Sequence, residues 1–168
     1  MATTDGDNIY SPDRVTKYGL VVALRAMADS VQRAFNRRTG AGFAERASQI
    51  LVPSGADFSM SPLATATAMG NISFSSNSFT IRRNGWFQIN AQTVFTSNPN
   101  GGRAVAIGIN GVDRYGSIVH GFEGHSNWVT VNVVRPLSAG DVVTVMRWQN
   151  SGTSLMENEA HLSIAQVA

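Results

Sequence analysis

The stretch Asn84-Gly85-Trp86-Phe87-Gln88-Ile89-Asn90-Ala91-Gln92-Thr93-Val94-Phe95 alternates with a period of two. Phe87, Ile89, Ala91, Thr93 and Phe95 point one way, while Gln88, Asn90 and Gln92 point the other. The first set is the inward face of a strand running from Trp86 to Thr96. The second set is a row of amides in the middle of a sheet, which either faces water or lines a contact with identical strands around a threefold axis. Asn84-Gly85, immediately ahead, carries tight-turn chemistry.

Similar short runs rich in Val, Ile, Phe and Thr lie on both sides of this stretch. They are Thr67 to Phe74, Ser78 to Arg82, Arg103 to Asn110, Gly116 to Phe122, Asn127 to Val134, Asp141 to Gln149 and Ala160 to Val167. Asn98-Pro99-Asn100-Gly101-Gly102 reads as a longer hairpin loop, and Asn110-Gly111 and Ser138-Ala139-Gly140-Asp141 as further turns. Eight strands in about 100 residues predict a mainly β antiparallel sandwich.

The pattern is helical ahead of the strands. Ser11 is a cap, Pro12 suits the first helical position, and Asp13 sits where the helix dipole favours an anion. Leu20, Leu24, Met27, Val31 and Ala34 then recur on one face, and Arg33, Arg37 and Arg38 load the last turn before Gly40. A helix over residues 11–38 is on the order of 40 Å long, more than a small sandwich covers easily. Its apolar stripe therefore meets copies of itself, folds back on its own domain, or docks on another protein. Gly40, Gly42, Pro53, Gly55 and Pro62 interrupt every period in residues 39–63, which read as a neck. The expected organisation is an arm and helix over residues 1–38, a neck over 39–63 and a head over 64–168.

Composition narrows the function. The 168 residues are 43% hydrophobic but only 14% charged, so much of the surface must be uncharged and polar. The formal net charge of +2 comes from the N-terminal part, since residues 51–168 hold six Arg against six Asp or Glu. Nucleic-acid binding needs a basic stripe with interleaved aromatics, and Arg82-Arg83 is an isolated pair. With no cysteine, neither a disulfide framework nor a thiolate metal site can form. The run Tyr18 to Leu24 is too short for a membrane span, so no membrane insertion is expected. The glycines sit in turns between strands instead of at a strand-to-helix junction, which argues against a phosphate cradle. His120, Glu123 and His125 alone cluster with metal-ligand chemistry, but Gly121 and Gly124 separate them and the histidine spacing places them on opposite faces of a strand. The expectation is no enzyme, no cofactor and no metal.

In order along the chain, Asn84 to Phe95, then Val105-Ala106-Ile107-Gly108-Ile109-Asn110-Gly111, then Val131 through Leu137 with Ala139-Gly140-Asp141 and Val143, then Ala160-His161-Leu162-Ser163-Ile164-Ala165 resemble four motifs of one family. It is the family of complement-type globular heads and tumour-necrosis-factor-like jelly rolls. The resemblance covers about residues 70–168 and implies a jelly roll that assembles as a homotrimer through its inner sheet and recognises without catalysing. The chain departs from the secreted animal members in lacking a collagen stalk and cysteines. With a helical stem ahead of the head, it is similar to the small trimeric spikes, fibres and decoration proteins of tailed bacteriophages. The resemblance thus implies a virion location, other virion structural proteins as partners of the arm, and a host cell-surface glycan as a possible ligand of the head.

On this basis Trp86, Gln88, Asn90 and Gln92 of the head, and Leu20, Leu24, Met27 and Val31 of the helix, are the expected trimer interface. Tyr115, His125, Asn127 and Trp128 are the expected ligand-binding residues, because aromatic faces beside polar groups suit sugar rings; the alternative for the tryptophans is the core or the interface. Asn90→Arg places three like charges near the axis, and light scattering should find that this variant no longer assembles.

Overall fold

The computed structural model describes residues 24–30, 39–55, 57–111, 113–121 and 124–167. Contacts divide the chain into two units, Met1–Phe35 and Asn36–Ala168. In the first, residues 24–30 form helix α1, with Leu24 and Met27 both exposed. Leu20, Val31 and the expected helix ends at Ser11 and Arg38 lie outside the described residues.

The second unit holds twelve strands among the described residues. They are β1 (Ala41–Arg46), β2 (Ile50–Val52), β3 (Ser59–Met60), β4 (Thr65–Met69), β5 (Ile72–Ser75), β6 (Ser78–Ile81), β7 (Gly85–Phe95), β8 (Gly102–Ile109), β9 (Asp113–His120), β10 (Asn127–Leu137), β11 (Val142–Gln149) and β12 (Leu155–Gln166). Sheet I has the order β10-β7-β12-β1-β4, with β2 also on β12; sheet II has the order β5-β6-β11-β8-β9, with β3 also on β11. Every pairing is antiparallel, and the sandwich follows from two sheets closing over one core.

The alternation in β7 is the one expected. Phe87, Ile89, Ala91, Thr93 and Phe95 are buried, and they meet Phe79, Val105, Ile107, Val143, Val145, Leu162 and Ile164 in the same core. Strand β8 is buried at every position for a different reason. Its inward residues are Arg103, Val105, Ile107 and Ile109, while its outward ones, Gly102, Ala104, Ala106 and Gly108, are small enough for neighbouring side chains to lie over them. A Cβ on Gly108 would stand 2.7 Å from Thr144 Oγ1 and 2.8 Å from Met146 Sδ.

Three expectations are corrected. The neck is part of the sandwich: β1 lies between β12 and β4, with Gly42 opposite Ile164 and Ala44 opposite Leu162. Gly42 reads as a breaker but is a spacer, since a Cβ there would come within 2.6 Å of the Phe79 ring. The run Thr67 to Phe74 is two strands, because Gly70 at φ +65° turns the chain from β4 in sheet I to β5 in sheet II. Asn84-Gly85 and Asn98–Gly102 are not hairpin turns but crossovers between the sheets, since β7 pairs with neither β6 nor β8. Asn110-Gly111 does close a hairpin, with both residues at positive φ.

Two buried polar groups hold the end of the sandwich remote from Gly40. Arg103 donates from Nη2 to Asn98 O at 2.8 Å and from Nη1 to Gly101 O at 3.0 Å, fixing the β7–β8 crossover from beneath. Desolvation lowers the basicity of its guanidinium. At the other group Glu157 of β12, fully buried, accepts from Arg46 Nη2 of β1 at 2.5 Å and from Ser61 Oγ at 2.7 Å, with Arg147 Nη1 of β11 at 3.3 Å. A register shift in β12 between Glu157 and Glu159 turns that carboxylate inward. Burial pushes the Glu157 carboxyl up, and Arg147, Ser61 and Arg46 oppose the shift; burial also lowers Arg147. At the opposite end Gln166 N donates to Gly40 O at 2.8 Å, so the chain enters and leaves the head side by side.

Removing the carboxylate strands two guanidinium groups in the interior. Glu157→Leu is therefore expected to cost about 3–5 kcal/mol in urea unfolding, and replacing Arg46 and Arg147 with Met in the same chain should recover most of that loss.

Candidate functional site

The outward face of sheet I carries the amide row. Register across the sheet places Asn132, Asn90, Ser163, Phe43 and Thr67 side by side, and in the next row Thr130, Gln92, His161, Glu45 and Thr65. Gln88 lies between Val134 and Ala165, and Trp86 stands opposite Pro136. Trp86 is 50% exposed and Trp128 58%, and Phe43, Met69 and Val134 are exposed on the same face. A single solvated sheet face normally reads as polar, and this one carries five large apolar side chains.

The face has two depressions. One, about 340 Å³, is lined by Phe43, Asn90, Gln92, Trp128, Glu159 and His161, with Ser163 at its base. The other, about 380 Å³, lies toward the Gly40 end between Gln88, Asn90 and Ala165. In the first, His161 Nε2 is 3.2 Å from Glu159 Oε2 and Nδ1 is 3.7 Å from Glu45 Oε2, with the Phe43 ring 6.1 Å from the imidazole. Only the Glu159 contact is within hydrogen-bonding distance.

Trp86, Gln88, Asn90 and Gln92 are thus brought together on one exposed face. The expected ligand quartet is not. Trp128 belongs to the amide face, whereas Tyr115 is on β9 of sheet II, packed on the core with the Arg135 guanidinium 4.3 Å above its ring. Asn127 is buried and donates to Thr96 O at 3.3 Å, and His125 stands exposed in the loop before β10. Glu123, of the histidine cluster, lies outside the described residues. Phe43, Glu159 and His161 complete the depression, and Glu45 stands beside His161. Glu159 and His161 had a signal in the sequence, an outward polar alternation along the last strand. Phe43 and Glu45 sat in the supposed neck and gave none.

Sheet II carries a smaller apolar groove of about 280 Å³, lined by Phe58, Ala104, Gly116, Ser117, Ile118 and Trp148. Phe58 stacks on Trp148 there, with ring centroids 6.2 Å apart. Among the described residues no three His, Asp or Glu side chains gather to hold a metal, and no helix is long and apolar enough to cross a membrane.

No family model and no curated protein matches the chain. Solved structures do. The PRD1 vertex protein P5 superposes with a TM-score of 0.59 at 15% identity, over 77% of this chain and 97% of that one. The globular domain of zebrafish complement 1qA gives 0.55 at 12% identity over 76% and 97%, and the Eiger TNF of S. frugiperda 0.53 at 10% over 77% and 92%. The fold is a TNF-like jelly roll. At these identities the likeness is one of architecture.

The two layers of the face differ in what they contribute to stability. Trp128→Ala is expected to change the unfolding free energy by under about 1 kcal/mol, because its ring is already wet. Phe87→Ala, fully buried beneath the same sheet, should cost about 3–5 kcal/mol in the same urea titration.

Proposed function

We propose that this chain is a bacteriophage virion structural protein, a non-catalytic homotrimer whose jelly-roll head forms a tail spike, fibre or receptor-binding tip and whose N-terminal helix attaches it to the particle. The observation that carries the proposal is the outward face of sheet I, where Trp86, Trp128, Phe43, Met69 and Val134 stand exposed around Gln88, Asn90 and Gln92. A mixed apolar and amide surface suits a symmetric contact between copies, in which amides pair across the axis and aromatic rings lose their water. The helical unit, with Leu24 and Met27 exposed, supports a separate role in attachment to other virion proteins.

A second placement has its own support. The likeness to a phage vertex protein favours a capsid position, where the same trimer would act as a decoration protein. The head then coats or stabilises the particle instead of finding a host glycan.

Light scattering of the full chain after size separation should give three times the 18.0 kDa chain mass. A monomer at all concentrations would overturn the proposal. Antibody labelling of particles in negative-stain micrographs separates the placements: label at the tail tip supports the spike, and label at the vertices supports decoration.

A further inference from the structure

We propose that Asn100, in the β7–β8 crossover, converts spontaneously to an isoaspartate whose new carboxylate pairs with the buried guanidinium of Arg103.

The sequence has three Asn-Gly pairs, Asn84-Gly85, Asn100-Gly101 and Asn110-Gly111. Glycine leaves its own backbone nitrogen unshielded by a side chain, so that nitrogen can attack the amide carbon of the preceding asparagine in an intramolecular ring closure. All three asparagines are exposed, but the fold restrains two of them. Asn110 donates from Nδ2 to Asp141 Oδ1 and accepts at Oδ1 from Val142 N, both at 2.8 Å. Asn84 Oδ1 accepts from Ala139 N at 2.8 Å. Among the described residues the Asn100 side chain has no hydrogen bond, and neither has Gly101 N. The bonds of Asn100 are those of its backbone, whose N donates to Asn98 Oδ1 and whose O accepts from Arg103 Nη1. Nucleophile and electrophile are thus both unrestrained, in an exposed stretch where Gly101 stands at φ +67°.

The surroundings select the product. Attack of Gly101 N on Asn100 Cγ expels the side-chain nitrogen as ammonia and leaves a succinimide. Water then opens the ring at one of two carbonyls. Addition at Cγ gives aspartate. Addition at the backbone carbonyl carbon breaks its bond to Gly101 N and gives isoaspartate, in which the former backbone carbonyl is a free carboxylate. The oxygen of that carbonyl is the one to which Arg103 Nη1 donates. A guanidinium there polarises the carbonyl toward water and stabilises the oxyanion that forms.

Arg103 gains a partner in the same step. It is fully buried, its other acceptors are the neutral carbonyls of Asn98 and Gly101, and its Nε has no partner among the described residues. No Asp or Glu among the described residues pairs with it. A carboxylate in place of one carbonyl supplies the missing counter-charge through a charge-assisted bond. The added backbone methylene falls between the end of β7 at Phe95 and the start of β8 at Gly102, where it interrupts no strand pairing.

The test follows the purified full chain through storage in mildly alkaline buffer. Peptide mass spectrometry gives the conversion at each asparagine, and electron-transfer fragmentation tells isoaspartate from aspartate. In the folded chain Asn100 should convert about tenfold or more faster than Asn84 and Asn110, which must first break a side-chain hydrogen bond. In guanidinium chloride the three sites should react at similar rates. The ratio of isoaspartate to aspartate from Asn100 should be higher in the folded chain than in the unfolded one. Arg103→Met, its fold checked by circular dichroism, should return that ratio to the unfolded value; if this variant does not fold, the native and unfolded chains decide. Asn100 converting no faster than the other two, or giving isoaspartate in the same proportion folded and unfolded, overturns the inference.

Discussion

Glu157 is the point on which the two sheets of this jelly roll are fastened together. Its carboxylate sits on β12 of sheet I, one guanidinium reaches it from β1 beside it and another from β11 of sheet II, and Ser61 closes the remaining side. Hydrophobic burial drives the sheets together but does not fix how they slide over one another. A carboxylate with two directional partners on different strands does, because any shift leaves a buried charge unpaired. Arg46 also donates to Pro62 O and Arg147 to Met60 O, so the irregular segment after β3 is tied to the same group.

With the sheets fixed, their outer faces have different characters. Sheet II presents β8, whose outward Gly and Ala positions let Met146 and Thr144 lie flat, and little chemistry projects from it beyond one apolar groove. Sheet I presents upright aromatics, amides and the His161 cluster. Exposed aromatic and amide side chains thus gather on one side of the sandwich. The strand β7 carries core residues and outward residues on alternate positions of the same backbone, so the packing that stabilises the sandwich also aims the amides.

How far the sequence could be read depended on which physical signal each segment carried. In β7 a period of two over the ten residues from Trp86 to Phe95, with no charge and no glycine among them, marked a strand. In β1 the same period was hidden, because its inward positions are Gly42, Ala44 and Arg46, two small residues and a charge, which no hydrophobicity pattern marks as core. Arg46 is buried only because Glu157, more than a hundred residues away, meets it there. Crossovers between sheets use the same Asn and Gly residues as hairpins, so Asn84-Gly85 and Asn98–Gly102 could not be told from hairpins locally. The amide face was legible as a face, while its partners Phe43 and Glu45 depend on a pairing of β1 with β12 that only the fold supplies. The four expected ligand residues are not gathered for a related reason, since Tyr115 and Trp128 lie on different sheets.

The hydrogen bond from Gln166 to Gly40 gives the head a polarity. Both ends of its backbone leave from one edge, and the β7–β8 crossover pinned by Arg103 lies at the other. The last strand thus closes against the chain just ahead of the first, like a clasp whose two halves meet at one edge. The crossover at the far end can then change in sequence without disturbing the junction.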